Sequence, residues 1–164
     1  MLLGDPYRFA VLAEVIPVWN VDETFGNGVL LLAVDGQFFP REIVTAPLKG
    51  ELYWLQEKLQ HLSVEEALYQ LPKAQAFAAI YALTFPEDRA LDNDYRFDLT
   101  PDSLADQGCF VFAVASGDKV RILAAALAYD AGRSRYELEQ ALISEAFLSA
   151  GEIAEIAAGL CVDR

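Results

Sequence analysis

Apolar residues at strand spacing dominate the first 45 positions of the chain. The run 7–18 contains only two charged residues, which is typical of a mostly buried strand. Two more apolar runs, 29–34 and 37–45, flank Asp35-Gly36, a dipeptide favoured in the tight turn of a hairpin. We therefore predict a strand followed by a hairpin. Pro40 has no N–H to donate, so we place it at a sheet edge or a bulge within the last of these strands.

Helical spacing begins near residue 47. Leucines recur every three or four positions and predict an amphipathic helix over roughly 47–60, with Glu51 among the charged residues on the rest of its circumference. Ser63-Val64-Glu65-Glu66 matches a capping box and predicts the start of a second helix. Pro72 should stop or kink that helix, and 74–83 should continue as helix.

The region that follows mixes short elements with acidic residues. Alternating apolar and charged residues over 95–99 predict a short strand. Thr100-Pro101-Asp102 resembles a helix start, with Thr100 as the cap and proline at the first position, and predicts one turn to about Ala105.

Three features organise the last third of the chain. Runs 109–115 and 120–129, separated by a polar turn, predict a second hairpin. Residues 135–147 are predicted to be a third long strand, although their Glu, Leu and Ala content leaves a helix as the alternative. Ser149-Ala150-Gly151-Glu152 is a capping box that predicts a short C-terminal helix.

The order of these elements defines the expected fold class. Strands, then helices, then a strand meander and a helix predict an α+β fold with mainly antiparallel sheet rather than alternating βαβ units. The helical segment lies in the middle of the chain and a short helix ends it. Because a chain of 164 residues has the usual length of one domain, we expect a single domain over 1–164.

The net charge of the chain indicates which kinds of partner it can bind. The formal net charge of −13 repels nucleic acid and anionic membrane surfaces and attracts basic partners, although many proteins are acidic simply for solubility. Neither an export signal nor an apolar run of membrane-spanning length is visible, so a cytoplasmic location is expected. Cys109 and Cys161 lie far apart in apolar surroundings, which fits two buried free thiols, with a disulfide between them as the alternative.

The densest acidic run lies between residues 87 and 106. We single out its aspartates as a candidate partner-binding surface, against the alternative of a solvated acidic loop. These residues are Asp88, Asp92, Asp94, Asp98, Asp102 and Asp106.

The sequence offers little for catalysis or cofactor binding. The single histidine, His61, falls at the end of the first predicted helix, where a contact with helix carbonyls is more common than base catalysis. Asp92-Asn93-Asp94 fails as a calcium loop, because phenylalanine stands where the loop needs glycine. We therefore expect no catalytic residue, no cofactor and no metal site. A small enzyme or ligand-binding domain using clustered carboxylates, and an oligomeric scaffold, stay open as alternatives.

Adjacent aromatic residues offer a further candidate for interaction. Tyr53 and Trp54 lie side by side on the first predicted helix, so both cannot point into the same core.

Four segments near the N-terminus resemble a known bacterial family. They are Gly4-Asp5-Pro6-Tyr7-Arg8-Phe9-Ala10, Glu14-Val15-Ile16-Pro17-Val18-Trp19-Asn20, Asn27-Gly28-Val29 and Asp35-Gly36-Gln37-Phe38-Phe39-Pro40. Together they resemble the immunity protein 42 family, most strongly over the first fifty or so residues. The resemblance implies a cytoplasmic protein of a polymorphic toxin system that neutralises a cognate toxin by binding it. It carries over no catalytic residue and assigns no binding surface.

The net charge of −13 suits a protein that binds a toxin. Many interbacterial toxins are nucleases with basic clefts, and an acidic protein can steer toward such a cleft and cover it. We therefore expect a toxin partner, a basic nuclease being one candidate, with no nucleic-acid or membrane partner. The oligomeric state stays open, a homodimer included.

Overall fold

The computed structural model describes residues 1–22 and 24–160, which form two main antiparallel sheets, a two-stranded ribbon and five α-helices. This arrangement confirms the predicted α+β class. The strands are β1 (Leu2–Asp5), β2 (Phe9–Val15), β3 (Asn27–Val34), β4 (Gln37–Phe39), β5 (Ala46–Pro47), β6 (Cys109–Ser116), β7 (Lys119–Ala126), β8 (Tyr129–Asp130), β9 (Arg135–Tyr136) and β10 (Ser144–Ser149). The helices are α1 (Leu48–Gln60), α2 (Glu66–Gln70), α3 (Lys73–Thr84), α4 (Asp102–Ala105) and α5 (Ala150–Gly159).

The first sheet has the strand order β1-β2-β3-β4, and β5 also pairs with β3. Asp35 and Gly36 both adopt positive φ, 51° and 73°, so the predicted tight turn between β3 and β4 is confirmed. The pattern missed β1, which pairs with β2 through the turn that follows it. Gly4 permits this pairing, because a Cβ at that position would lie 2.4 Å from the Phe9 carbonyl oxygen.

The second sheet has the order β10-β7-β6 and is covered on both faces. Val111 and Ala113 of β6 join the cluster that contains the first sheet, whereas Phe110 and Phe112 pack with Phe77 of α3 on the other side. This burial explains why β6 and β7 are apolar at nearly every position instead of alternating. The molecule is therefore layered as sheet, sheet and helix.

Two helices close the ends of the core between the sheets. The buried face of α1 carries Leu48, Leu52, Leu55 and Leu59, and α5 contributes Ile153 and Ile156 among others. The predicted capping box of α5 is confirmed. Arg8, from the turn before β2, and the backbone N–H of Ser149 both donate hydrogen bonds to the Glu152 carboxylate and lower its pKa to about 2.

Three predicted strands are wrong in extent. The strand predicted over 37–45 ends at Phe39, because Pro40 cannot donate to the ladder. Residues 95–99 form only an isolated bridge to β6, although two of their backbone hydrogen bonds extend the sheet edge. Only the ends of 135–147 are strand, as β9 and the start of β10, and the stretch between is neither strand nor helix.

The capping box predicted at Ser63 is also wrong. Helix α2 begins at Glu66, and its N-cap is Glu65, with no side-chain cap. Ser63 and Glu65 instead make backbone hydrogen bonds with Ala115 at the end of β6, so these residues continue the sheet before the helix starts. Pro72 does separate two helices as predicted, since α3 begins directly after it. No helix of the described chain is both long and apolar enough to cross a membrane.

Candidate protein-binding surface

The six predicted aspartates occupy three different environments. Asp88 and Asp92 lie on the exposed segment that follows α3. Asp88 stabilises a local turn, since its carboxylate accepts the backbone N–H of Ala90 at 2.9 Å. The Asp92 carboxylate has no hydrogen bond or ion pair within residues 1–22 and 24–160.

Asp94 is paired inside the molecule. Its two carboxylate oxygens accept hydrogen bonds from the Arg96 side chain at 2.8–3.0 Å. Hydrogen bonding to Arg96 lowers the pKa of Asp94, so this carboxylate stays ionised but is already neutralised by its partner. Asp94 is therefore a poor source of free negative charge.

The remaining three aspartates converge around α4. Asp98 is partly buried, accepts the backbone N–H of Thr100 at 3.1 Å, and has its pKa raised by burial. Asp102 and Asp106 stand at the two ends of α4 and are exposed, with no hydrogen bond or ion pair to either carboxylate in the described part of the chain. The negative charge of Asp102 also raises the pKa of Asp98, which shows that the two carboxylates lie close enough to interact.

Glu51 of α1 lies beneath these aspartates and was not predicted as a site residue. Its side chain is buried rather than on the solvent face of the helix, contrary to the expectation for this position. One carboxylate oxygen accepts the Ser103 backbone N–H at 2.8 Å, and the other accepts the Ser103 hydroxyl at 2.7 Å. Glu51 thus supplies the N-terminal cap of α4 from another helix.

The predicted cap of α4, Thr100, has a different role. Its hydroxyl donates to the Val111 carbonyl at 3.0 Å and accepts the Val111 N–H at 2.9 Å, which ties the segment before α4 to β6. Pro101 takes the N-cap position and provides no side-chain cap. Helical spacing could have identified Glu51, because it lies three residues after Leu48 and four before Leu55 on the buried face.

These residues surround a cleft of about 230 Å³ between α1 and α4. We call this site the acidic cleft. Its lining residues are Pro47, Gly50, Glu51, Trp54, Pro101 and Asp102, and we include the neighbouring aspartates Asp98 and Asp106. Trp54 forms one wall and packs partly against the core, while the neighbouring Tyr53 is exposed, so the two aromatics diverge as predicted. The Nζ atom of Lys58 lies 5.5 Å from the Trp54 ring centroid and donates to the Tyr95 carbonyl at 2.6 Å.

Glu51 is the buried carboxyl of the acidic cleft. Desolvation raises the pKa of its carboxyl even though Ser103 donates two hydrogen bonds to it, and the charges of Asp102 and Asp106 act in the same direction. Both oxygens of Glu51 are already bonded to Ser103, so the carboxylate that lines the cleft unpaired within the described chain is that of Asp102. The chemistry that the acidic cleft offers is the binding of a cation beside an aromatic ring.

The other candidate reactive residues have structural positions. The Nδ1 atom of His61 lies 2.9 Å from the Glu57 carbonyl oxygen at the end of α1, which is the helix-end contact predicted for it. Cys109 is a buried free thiol, whereas Cys161 lies outside the described residues. Within the described ranges, no group of three or more His, Cys, Asp or Glu residues is arranged to hold a metal ion.

Comparison with known proteins identifies the family. A model of the immunity protein 42 family matches residues 1–161. The chain belongs to the immunity protein 42 family. The resemblance found in the first fifty residues is thereby confirmed, and it extends over nearly the entire sequence.

A solved structure shows the same fold. The crystal structure of CdiI from Burkholderia dolosa AUO158 superposes with a TM-score of 0.76 at 20% identity, covering 98% of this chain and 97% of that one. A comparison with curated proteins finds no significant match. Family membership makes this chain an immunity protein, a protein that neutralises a bacterial toxin.

Proposed function

We propose that this member of the immunity protein 42 family neutralises its toxin by direct, non-catalytic binding, with the acidic cleft forming part of the contact. The observation that carries the proposal is the pair of exposed carboxylates on α4, Asp102 and Asp106, of which Asp102 lines the cleft together with Trp54. Neither carboxylate has a cationic partner within the described chain. Tryptophan is enriched among the energetically important residues of protein interfaces, and unpaired carboxylates supply charge complementarity to a basic partner.

Charge gives the expected chemistry of the partner. A protein of net charge −13 attracts basic surfaces over long distances, and an acidic cleft would receive a lysine or arginine side chain of the toxin. A nuclease is one candidate, because its substrate-binding surface must itself be basic to attract phosphate. The natural setting for this encounter is the cytoplasm, with the protein acting as one domain.

The six aspartates are expected to contribute unequally. Asp102 and Asp106 present free charge, and Asp92 extends the negative surface beyond the cleft. Asp98 adds charge from a partly buried position, while Asp88 and Asp94 are engaged by Ala90 and Arg96. Reversing Asp94 or Asp98 would therefore mix lost internal hydrogen bonds with lost binding, which makes them poorer test positions.

One observation bears on the alternative of a ligand-binding or enzymatic carboxylate site. The pKa values of Glu51 and Asp98 are both raised by burial, a pattern found at catalytic sites. Each of these carboxylates, however, accepts hydrogen bonds from its own scaffold, Glu51 from Ser103 and Asp98 from Thr100. A cap and a turn explain both groups, so protein binding is the function that we favour.

The test compares two charge reversals of equal size. The variant Asp102→Lys with Asp106→Lys changes the cleft, and Glu42→Lys with Glu137→Lys changes net charge by the same amount at exposed positions elsewhere. Each variant is co-expressed with the product of the gene immediately upstream, and growth and co-purification are scored. We expect the cleft variant to lose growth rescue and co-purification, and the control variant to keep both.

Either of two results would contradict the proposal. If the upstream product is toxic but the folded wild-type protein neither rescues growth nor co-purifies with it, direct binding of that partner is wrong. If the wild type binds and the cleft variant binds equally well, the toxin is bound, but not through the acidic cleft.

A further inference from the structure

A second surface lies on the other side of the α1 N-terminus and is apolar. The loop between β2 and β3, together with the end of β2, exposes large hydrophobic side chains: Val15, Val18, Trp19, Val21 and Phe25. We call this set the apolar crown. Val21 is fully exposed and Val18 is 88% exposed, so neither contributes to the core. Exposure of several such residues on one loop is uncommon unless a partner covers them.

Asparagine side chains tie together the two ends of the loop that carries the apolar crown. The Asn20 side chain donates to the Ile16 and Asn27 carbonyls at 2.8 Å, and its oxygen accepts the Asn27 N–H at 2.6 Å. The Asn27 side chain in turn donates to the Trp19 carbonyl at 3.2 Å. These hydrogen bonds fix the ends of the loop, which reduces the entropy that those ends lose when a partner binds.

The apolar crown includes a groove with a polar rim. Val15, Pro17 and Val21 line it together with Asn20, Asp22, Gly26 and Lys49, and its volume is about 480 Å³. An apolar centre bordered by charged residues is the usual anatomy of a protein interface. The groove is therefore suited to an aliphatic or aromatic side chain of a protein partner.

The apolar crown and the acidic cleft lie on two sides of one helical turn. The carbonyls of Phe25 and Gly26 accept the N–H groups of Lys49 and Leu48, so the loop packs directly on the start of α1. Lys49 lines the groove, and the next residue, Gly50, lines the acidic cleft. The two surfaces therefore adjoin at the first turn of α1.

The net charge of the chain favours a basic partner over a second copy of the chain at the apolar crown. A second copy of this chain would also carry a charge of −13, and the two copies would repel each other. The partner proposed for the acidic cleft has the opposite charge and would lie next to the apolar crown. We propose that the apolar crown is the hydrophobic anchor for the same basic toxin, an inference that rests on the proposed function.

The two tryptophans of the chain allow each surface to be observed separately. Trp19 belongs to the apolar crown and Trp54 to the acidic cleft, and the sequence contains no others. The full-length protein labelled with 5-fluorotryptophan should therefore give two ¹⁹F resonances, assigned with Trp19→Phe and Trp54→Phe. On addition of the unlabelled upstream gene product, we expect both resonances to shift.

Affinity measurements supply the second arm of the test. The variant Val18→Ser with Val21→Ser should bind the upstream gene product about tenfold or more weakly, because exposed aliphatic anchors are buried on binding. The matched control, Ile43→Ser with Leu142→Ser, changes two aliphatic residues that are 70% and 86% exposed on other loops and should bind like the wild type. All four positions are exposed, so the variants should retain the wild-type thermal midpoint.

The outcomes separate this inference from the proposed function. If the wild type fails to bind the upstream gene product, the proposed function fails, and this inference fails with it. If the Trp54 resonance alone shifts and the Val18/Val21 variant binds normally, the apolar crown is not the anchor, although the acidic cleft stands. If sedimentation shows that the free protein is a dimer and that the Val18/Val21 variant is a monomer, the occupant is a second copy and the inference is overturned.

Discussion

At the scale of single residues, the decisive side chain of the acidic cleft is a buried glutamate that bonds to a residue 52 positions away. Glu51 accepts both the N–H and the hydroxyl of Ser103, and so holds α4 in the place where Asp102 and Asp106 are displayed. Local rules for helix starts favoured Thr100 instead. Thr100 is unavailable because both hydrogen-bonding directions of its hydroxyl are satisfied by Val111.

The variant Glu51→Ala should lower the free energy of unfolding by about 1–3 kcal/mol, because it leaves the buried Ser103 N–H and hydroxyl without an acceptor. Glu57→Ala, on the exposed face of the same helix, should change it by less than about 0.5 kcal/mol. Urea denaturation measures both values. Equal effects of the two variants would show that Glu51 does not cap α4.

The loss of stability caused by Glu51→Ala should also depend on pH. Burial raises the pKa of Glu51 in the folded state, so its stabilising contribution is complete below the unfolded-state value. The contribution declines as the pH rises through the folded-state pKa. We therefore expect Glu51→Ala to be more destabilising at pH 4 than at pH 8.

At the scale of elements, the sequence predicted the helices and turns whose signal lies within one short segment. It missed the strand pairings that depend on residues far away in the chain. Asp35-Gly36, the leucine spacing of α1 and the capping box at Ser149 are each contained in one short segment. Strand β1 and the backbone pairing of Ser63 with Ala115 depend on partners elsewhere in the fold. The start signal at Thr100-Pro101-Asp102 predicted α4 correctly, but the acidic run could not show that Asp94 is neutralised by Arg96 while Asp102 has no such partner in the described chain.

One such distant contact attaches the central helices to the second sheet. Arg121 of β7 is buried and donates to the carbonyls of Tyr69 and Leu71 at the end of α2, at 2.8 and 2.6 Å. Its other nitrogens bind Glu145 of β10 at 2.7 and 3.0 Å. A single guanidinium therefore joins a helix end to two strands.

Replacing Arg121 should destabilise the attachment of helix α2 to the second sheet. Arg121→Met should lower the free energy of unfolding by about 3 kcal/mol, the lower end of the range for broken buried ion pairs, since Glu145 keeps partial access to solvent. Hydrogen exchange should accelerate over Glu66–Gln70 in particular. The control Arg133→Met removes an exposed pair with Asp130 and should have little effect on either measurement. Unchanged exchange in α2 would contradict the proposed attachment.

At the scale of the whole molecule, two sources of attraction toward the proposed basic toxin can be separated by ionic strength. The net charge of −13 acts over the entire surface, whereas Asp102 and Asp106 act at the acidic cleft. Screening extends over about 30 Å at 0.01 M salt but only about 8 Å at 0.15 M, so distant charges lose their influence first. The wild-type association rate constant with the upstream gene product should fall by about tenfold or more across this range.

The two charge-reversal variants should then diverge as salt increases. At 0.01 M, Asp102→Lys with Asp106→Lys and Glu42→Lys with Glu137→Lys should both associate more slowly than the wild type, because each reduces the total field. At 0.15 M the control pair should return to the wild-type rate, while the cleft pair stays slow, because its charges lie within the screening distance of the bound partner. Stopped-flow mixing at both salt concentrations measures these rates. Equal slowing of the two variants at 0.15 M would mean that overall charge steers the encounter and that the acidic cleft has no special part in it.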